Sequence, residues 1–542
     1  GRNVAAGTLR AQGASVDLSA SHSSAASIQL HATQGDLSTR GATVVTPGAL
    51  SITANSAGAA WVNDGGTVQA QQLSAATANI RNREGGEIVQ TGDAALQLSA
   101  IDAAGQTGVI DNTGGRVASN SQDMALAAAR VVNTDGVIEH AAEGQLSVTT
   151  GSYSGERGLL RTNGALDVHS TGEFNQDGGQ SRAKHVAIQA DSLSNRAGQI
   201  LHVGADGTVP MQLVIGGQLD NQGGIIASNT AMRVSAASLS NQGGTLQTAQ
   251  TAAEPANVGI AATTGPASLD LQVSGALDNT AQGRIVSADR ASIHAGSLDN
   301  STGRIAAGGD LGATVIGELR NVDGELVANG DVALAAARLD NRQGLVASVQ
   351  GKLDVHLSAG APAAGELVNA QGQLLAKDIR IDTGLGSVDN GQGTIASVGD
   401  LRIASGALSN DSGLIQSSGN LAIDTHGQRL SNRAAAGYEG TGTADTQGRG
   451  GISSAGTLAL QTGVLDNEAG FIGATGALTA TTAGAINTAG AVLQSATSVQ
   501  MNAGAGSYDN RGGQTLSGGE LSVSAGRIDN AAGLMQAADR VK

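Results

Sequence analysis

Asparagine returns at a fixed interval through the middle of this chain, and that interval constrains the fold more than any local motif. The triplets Leu277-Asp278-Asn279, Leu298-Asp299-Asn300, Leu319-Arg320-Asn321 and Leu339-Asp340-Asn341 place their asparagines 21, 21 and 20 residues apart. A glycine follows each one by three or four positions, at Gly283, Gly303, Gly324 and Gly344. A unit of this length is too short to bury a hydrophobic face alone. It gains burial only by stacking on its neighbours, which is the logic of a solenoid.

Inside one period the apolar residues alternate. After Asn300 come Gly303 and Ile305, then Gly308-Gly309-Asp310, then Leu311, Ala313 and Val315, then Gly317 and Leu319. Alternation with period two means strands, and three short runs separated by turn residues fit one coil. The sequence therefore predicts an all-β chain, a right-handed parallel β-helix (β-solenoid) with about 20–21 residues per coil. Roughly 25 coils at the ordinary strand spacing of about 4.8 Å predict a rod on the order of 120 Å long. Residues 1–542 read as a single continuous repeat domain, and the start at Gly1-Arg2-Asn3 suggests an internal piece of a longer exoprotein.

The asparagine recurs along the chain at Asn63, Asn82, Asn112, Asn133, Asn175, Asn195, Asn221, Asn241, Asn279, Asn300, Asn321, Asn341, Asn369, Asn390, Asn410, Asn432, Asn467, Asn487, Asn510 and Asn530. Ser154 stands at the midpoint of the double step from Asn133 to Asn175, and Asn3 reads as an earlier member. Asparagine and glycine tolerate turn angles that β-branched residues resist. Stacked asparagines can also hydrogen-bond side chain to side chain as a ladder. These positions are expected to be structural.

Aromatic residues make up 1% of the chain while hydrophobic residues make up 40%. That combination suggests an interior of Ala, Val, Leu and Ile that is too narrow for rings. Trp61 occupies the slot two before Asn63 that Leu or Ile usually fills, so core packing is its expected role. The net charge of −16 disfavours nucleic-acid binding, which needs a basic surface. There is no cysteine to form disulfides or metal sites, and no apolar run long enough to span a membrane.

Four gaps break the period, and they predict protruding insertions at 204–210, 250–268, 358–366 and 433–451. Pro210, Pro255, Pro266 and Pro362 lie in these gaps and Pro47 in the less regular opening. Proline lacks the N–H that a central strand needs, so this placement supports the strand assignment.

Leu219-Asp220-Asn221-Gln222-Gly223-Gly224-Ile225-Ile226-Ala227 and Leu465-Asp466-Asn467-Glu468-Ala469-Gly470-Phe471-Ile472 are clear copies of one repeat. The pattern resembles the repeats of filamentous haemagglutinins, large two-partner-secreted exoproteins of Gram-negative bacteria. That resemblance implies a right-handed parallel β-helix, export through a dedicated outer-membrane transporter that reads an amino-terminal domain, and a secreted or cell-surface location. Adhesion to a host-cell receptor or glycan is the role it implies first. Contact-dependent growth-inhibition effectors share similar repeats, where the solenoid is a stalk for a toxin. The Asn-Pro-Asn secretion motif, the Val-Glu-Asn-Asn toxin boundary and Arg-Gly-Asp are all absent from the sequence.

A polysaccharide-active enzyme is the distant alternative, because such enzymes also use β-helices and need paired carboxylates. Here the recurrent acids (Asp278, Asp299, Asp340, Asp389, Asp466 and Asp529) all precede a ladder asparagine, which points to a repeated turn role. The nine histidines are scattered and are expected at the surface. Phosphate-loop, nucleophile-elbow and zinc-helix patterns are missing. No catalytic residue, metal or cofactor is expected. The candidate receptor contacts are Tyr438, Glu439 and Arg449 in the longest insertion, which offers an aromatic ring and charges.

Overall fold

A computed structural model describes residues 1–204, 209–248, 267–358, 364–435 and 450–542. The chain divides into two compact units, Gly1–Gly275 and Ala276–Lys542. Among the described residues every regular element is a strand, and both units are parallel β-solenoid, with about 24 turns in all and about 21 residues per coil.

In the second unit one coil reads Arg304–Ala307, Leu311–Val315 and Glu318–Arg320. The next reads Glu325–Ala328, Val332–Ala336 and Arg338–Asp340. Each strand pairs in parallel with its counterpart one coil on, Ile305 with Leu326, Ala313 with Leu334, and Leu319 with Leu339. The first unit does the same, as in the columns Val117–Ile138–Leu160 and Leu126–Val148–Val168–Ile188. Alternate residues therefore point inward and stack on their equivalents. Leu326, Val332, Leu334 and Leu339 of one coil are all buried. Each contributes about 1.5–3 kcal/mol of burial, which is available only when the coils above and below are in place.

The interior accepts aromatic rings, contrary to the sequence expectation. Trp61, Tyr153, Phe174 and Tyr508 are all fully buried in the slot two before the turn residue. Local shrinkage makes the room. Gly155 has no side chain, and a Cβ there would lie 2.4 Å from the Tyr153 ring. Tyr153 stacks on Phe174 of the next coil with centroids 4.7 Å apart. The Trp61 indole N–H donates to Thr39 Oγ1 at 3.1 Å, consistent with a core role.

Pairing continues on both sides of the longest insertion. Leu414 pairs with Gly451 and Leu430 with Leu465, although 37 and 35 residues separate them instead of about 21. Ala435 and Gly450 lie side by side, since a Cβ on Gly450 would come within 3.3 Å of Ala435 Cα. One excursion was not foreseen. The 30-residue step from Asn82 to Asn112 holds a small antiparallel turn in which Ile101 bridges Thr107 and Asp102 Oδ1 accepts the Ala104 and Gln106 N–H groups. Pro47 sits within the strand Thr43–Ala54, at the register shift between Thr46 and Ala49 where a missing N–H is tolerated.

Candidate functional surfaces

The repeated turn has four working positions. The asparagine side chain is buried and reaches toward the next coil. Asn321 Nδ2 donates to Asn341 Oδ1 at 2.7 Å, to Gly324 O at 3.1 Å and to Leu345 O at 3.2 Å. In the second unit these side-chain bonds run unbroken from Asn279 through Asn300, Asn321, Asn341, Asn369, Asn390, Asn410, Asn432, Asn467, Asn487 and Asn510 to Asn530. In the first unit they link Asn63, Asn82, Asn112 and Asn133, and then Asn195, Asn221 and Asn241.

The left-handed backbone angle falls two residues after the asparagine, not on it. Asp323, Gln343 and Ala469 take φ of 54°, 57° and 53°. The glycine one further on is required for a different reason. A Cβ on Gly324 would lie 2.2 Å from Asn300 O and 2.6 Å from Asn321 Oδ1, so the coils could not approach. Asparagine is thus present for its amide, and this glycine for its lack of a side chain.

Two assigned positions differ from the sequence reading. Asn175 pairs with Ser154 and Ser194, the column that precedes the turn residue, and is only half-buried. Gln176 takes the turn position, fully buried, with Nε2 donating backward to Gly155 O and Gly158 O. Its longer side chain also draws the Ser181 hydroxyl inward to Oε1 at 2.9 Å. Because Gln176 does not donate forward, Asn195 Oδ1 is buried without a partner. Tyr153 substitutes at the coil before, its hydroxyl 3.3 Å from Asn133 Nδ2. Asn3 is also displaced. It pairs with Ser23, which pairs with Val44, in the strand line after the turn, while Thr39 starts the ladder by donating to Asn63 Oδ1 at 2.7 Å.

The recurrent aspartates cap the same turn. Oδ1 of Asp278, Asp299, Asp340, Asp389, Asp466 and Asp529 each accepts the backbone N–H two residues on, at 2.9–3.3 Å. Asp64 is a special case, with its side chain fully buried and contacted by Arg40, Arg81 and Arg83. Burial pushes its carboxyl upward, but hydrogen bonds from Arg83, Arg81 and Arg40 outweigh that and bring the pKa down to about 2. Among the described residues no group of three His, Asp or Glu is placed to hold a metal ion. Two histidines are internal, against expectation. His140 and His202 are buried, His140 between Thr162 Oγ1 at 2.9 Å and Ser121 O at 2.7 Å.

What varies from coil to coil faces outward. In the first unit a groove of about 740 Å³ lies over the strands that follow the turn. Glu139 sits on its floor, bridging Arg116 Nε at 2.8 Å and Arg161 Nε at 2.9 Å. Burial raises the Glu139 pKa, yet the Arg161 and Arg116 hydrogen bonds hold it below the ordinary range. Arg182 stands one coil beyond Arg161, and Lys184 lines the same groove. In the second unit an outward concavity of about 640 Å³ is apolar, formed by Val349, Leu375, Ala396 and Val398 with Lys377 at its side. Tyr438, Glu439 and Arg449 lie outside the described residues.

The coil length, the parallel register and the turn chemistry together define a haemagglutinin-type β-solenoid. The haemagglutinin repeat family matches residues 141–223, 201–254, 262–321, 316–361, 349–434, 417–500 and 494–541. The chain belongs to that family. It is 32% identical over 198 residues to Toxin CdiA of Yersinia pestis, a match that covers 33% of this chain and 6% of that protein. No solved structure matches the chain.

Proposed function

We propose that this chain is a non-enzymatic, surface-displayed segment of a two-partner-secreted exoprotein that attaches a Gram-negative bacterium to host cells or matrix. One observation carries the reading. The repeated polar residues are consumed in building the solenoid, Asn321 by bonding to the next coil and Asp340 by closing its own turn, so chemistry is left only to the outward positions. Export would use an outer-membrane transporter acting on an amino-terminal domain, and attachment would use a host receptor or glycan. The insertions at 204–210, 250–268, 358–366 and 433–451 would protrude, with Tyr438, Glu439 and Arg449 the first receptor contacts to test. Ala435 and Gly450 are adjacent and Gly451 pairs with Leu414, which supports replacing residues 436–449 without disturbing the coils.

A second reading has its own support. Similarity to Toxin CdiA favours a passive stalk in a contact-dependent inhibition system. The discriminating experiment is binding of residues 1–542 to host epithelial cells and to other bacteria, beside a variant with 436–449 replaced by a short Gly-Ser turn. Saturable host binding supports the adhesin, and its loss in the variant places the contact in that insertion. Absence of host binding overturns the adhesin reading in favour of the stalk.

A further inference from the structure

The chain carries a net charge of −16, yet the groove of the first unit has the opposite sign. Among the described residues Arg116, Arg161, Arg182 and Lys184 line it against Glu139 and Glu143, so four cations face two carboxylates and leave a surplus of two. Glu139 is spent on Arg116 and Arg161. Arg182 and Lys184 have no carboxylate partner among the described residues, and they stand two positions apart, Arg182 in the strand Gln180–Ala183 and Lys184 at the bend that follows it. The floor is closed chemically, because both ring nitrogens of His140 are already bonded to Thr162 and Ser121. A guanidinium fork and an ammonium lining one groove over a saturated floor have the chemistry to hold an oxyanion.

We propose that Arg182 and Lys184 bind a phosphate dianion, free or as a monoester, on the outward face of the first unit. The charge count selects it. A phosphate monoester carries about two negative charges at neutral pH, which match the surplus of two, whereas a sulfate ester or a carboxylate carries one. Asn120 and Asn163 line the same groove, with Nδ2 of each donating to a backbone carbonyl, Thr91 O at 3.4 Å and Ala141 O at 2.7 Å. The inference is independent of whether the chain attaches to host cells or serves as a stalk.

The test is calorimetric titration of residues 1–542 at constant ionic strength with glucose 6-phosphate, inorganic phosphate and glucose 6-sulfate. The expected result is phosphate binding about tenfold tighter than sulfate binding, weakening as pH falls through the second phosphate pKa near 6. R182Q/K184Q should lose it by tenfold or more, while R402Q, in an exposed arginine column of the second unit, should not change it. Arg182 is exposed and Lys184 half-buried, so the double variant should keep wild-type circular dichroism, which checks its fold. Glucose 6-phosphate binding tighter than inorganic phosphate would assign the phosphate to a sugar-borne group, and equal affinity would assign it to the free ion. Equal affinity for the sulfate and phosphate esters, or full binding by folded R182Q/K184Q, would overturn the proposal.

Discussion

Replacing Asn321 with alanine should open the solenoid locally without unfolding it. The side chain is fully buried and takes part in two amide–amide bonds of 2.7 Å, one from Asn300 Nδ2 and one to Asn341 Oδ1. After truncation Asn300 Nδ2 keeps Gly303 O and Glu325 O, but Asn341 Oδ1 loses the donor it has from Asn321. The two amide–amide hydrogen bonds at about 1 kcal/mol each, plus an orphaned acceptor at about 1–3 kcal/mol, give about 3–5 kcal/mol as a lower bound, since the bonds to Gly324 O and Leu345 O are lost as well. Global melting is a poor assay, because a repeat array need not unfold as one unit. Hydrogen exchange followed by mass spectrometry reads each coil separately. Peptides covering residues 300–345 should exchange at least a hundredfold faster, since each 1.4 kcal/mol is a factor of ten. The outward substitution Val327→Ala, in the same coils, should change exchange by less than a few fold. Unchanged protection in N321A would refute the idea that the amide ladder holds neighbouring coils together.

Other perturbations separate the roles within the turn. Gly324→Ala should destabilise its coil by several kcal/mol, because the new Cβ meets Asn300 O at 2.2 Å. Gly65→Ala should cost only about 1 kcal/mol, since its nearest atom is 3.6 Å away and only its φ of +63° is unfavourable; exchange rates of the two variants give the comparison. Asp64 has a folded pKa of about 2 against 3.8 for the free side chain. Its stabilising effect is therefore full above pH 4 and lost as pH falls from 4 to 2, and D64N should lack that acid-dependent step in a pH series of exchange rates. Tyr153→Ala should cost about 3–5 kcal/mol by leaving a cavity against Phe174, while Tyr153→Phe should cost about 1 kcal/mol by removing the acceptor for Asn133, as read from hydrogen exchange of the surrounding coils.

The coil was legible because its signal is local and repeated: one buried amide, one left-handed residue and one glycine in most turns. Errors arose where a side chain did the same work from another position. At Glu173-Phe174-Asn175-Gln176-Asp177-Gly178-Gly179 the eye settles on Asn175, but counting back three from Gly179 lands on Gln176. Spacing does not separate Asn3, because Gly7 stands four after it as Gly283 does after Asn279; only its strand pairing with Ser23 displaces it. Thr39 begins the ladder with a hydroxyl, which carries no periodic signature. The charged groove was invisible for a geometric reason. Arg116, Glu139, Arg161 and Arg182 are about 21 residues apart in sequence and one strand apart in space, so no charge run marks them. The buried histidines were missed likewise, because the Thr162 and Ser121 partners of His140 come from the coils on either side.

The most direct test of the solenoid is a pair of spin-label distances, made simple by the absence of native cysteine. Outward positions Ala306, Val327, Ala347, Leu375, Ala396 and Gln416 follow one another in register, and Gln416 continues through Ser453 and Gly473 to Gln494. Labels at Ala306 and Gln416 span five strand steps, and labels at Ala306 and Gln494 span eight. At about 4.8 Å per step the distances should be about 24 Å and about 38 Å. The second pair encloses the longest insertion, which should add nothing. Distances in the ratio of five to eight would support parallel coils stacked through the asparagine turn, and an extra separation growing with the intervening sequence length would contradict it.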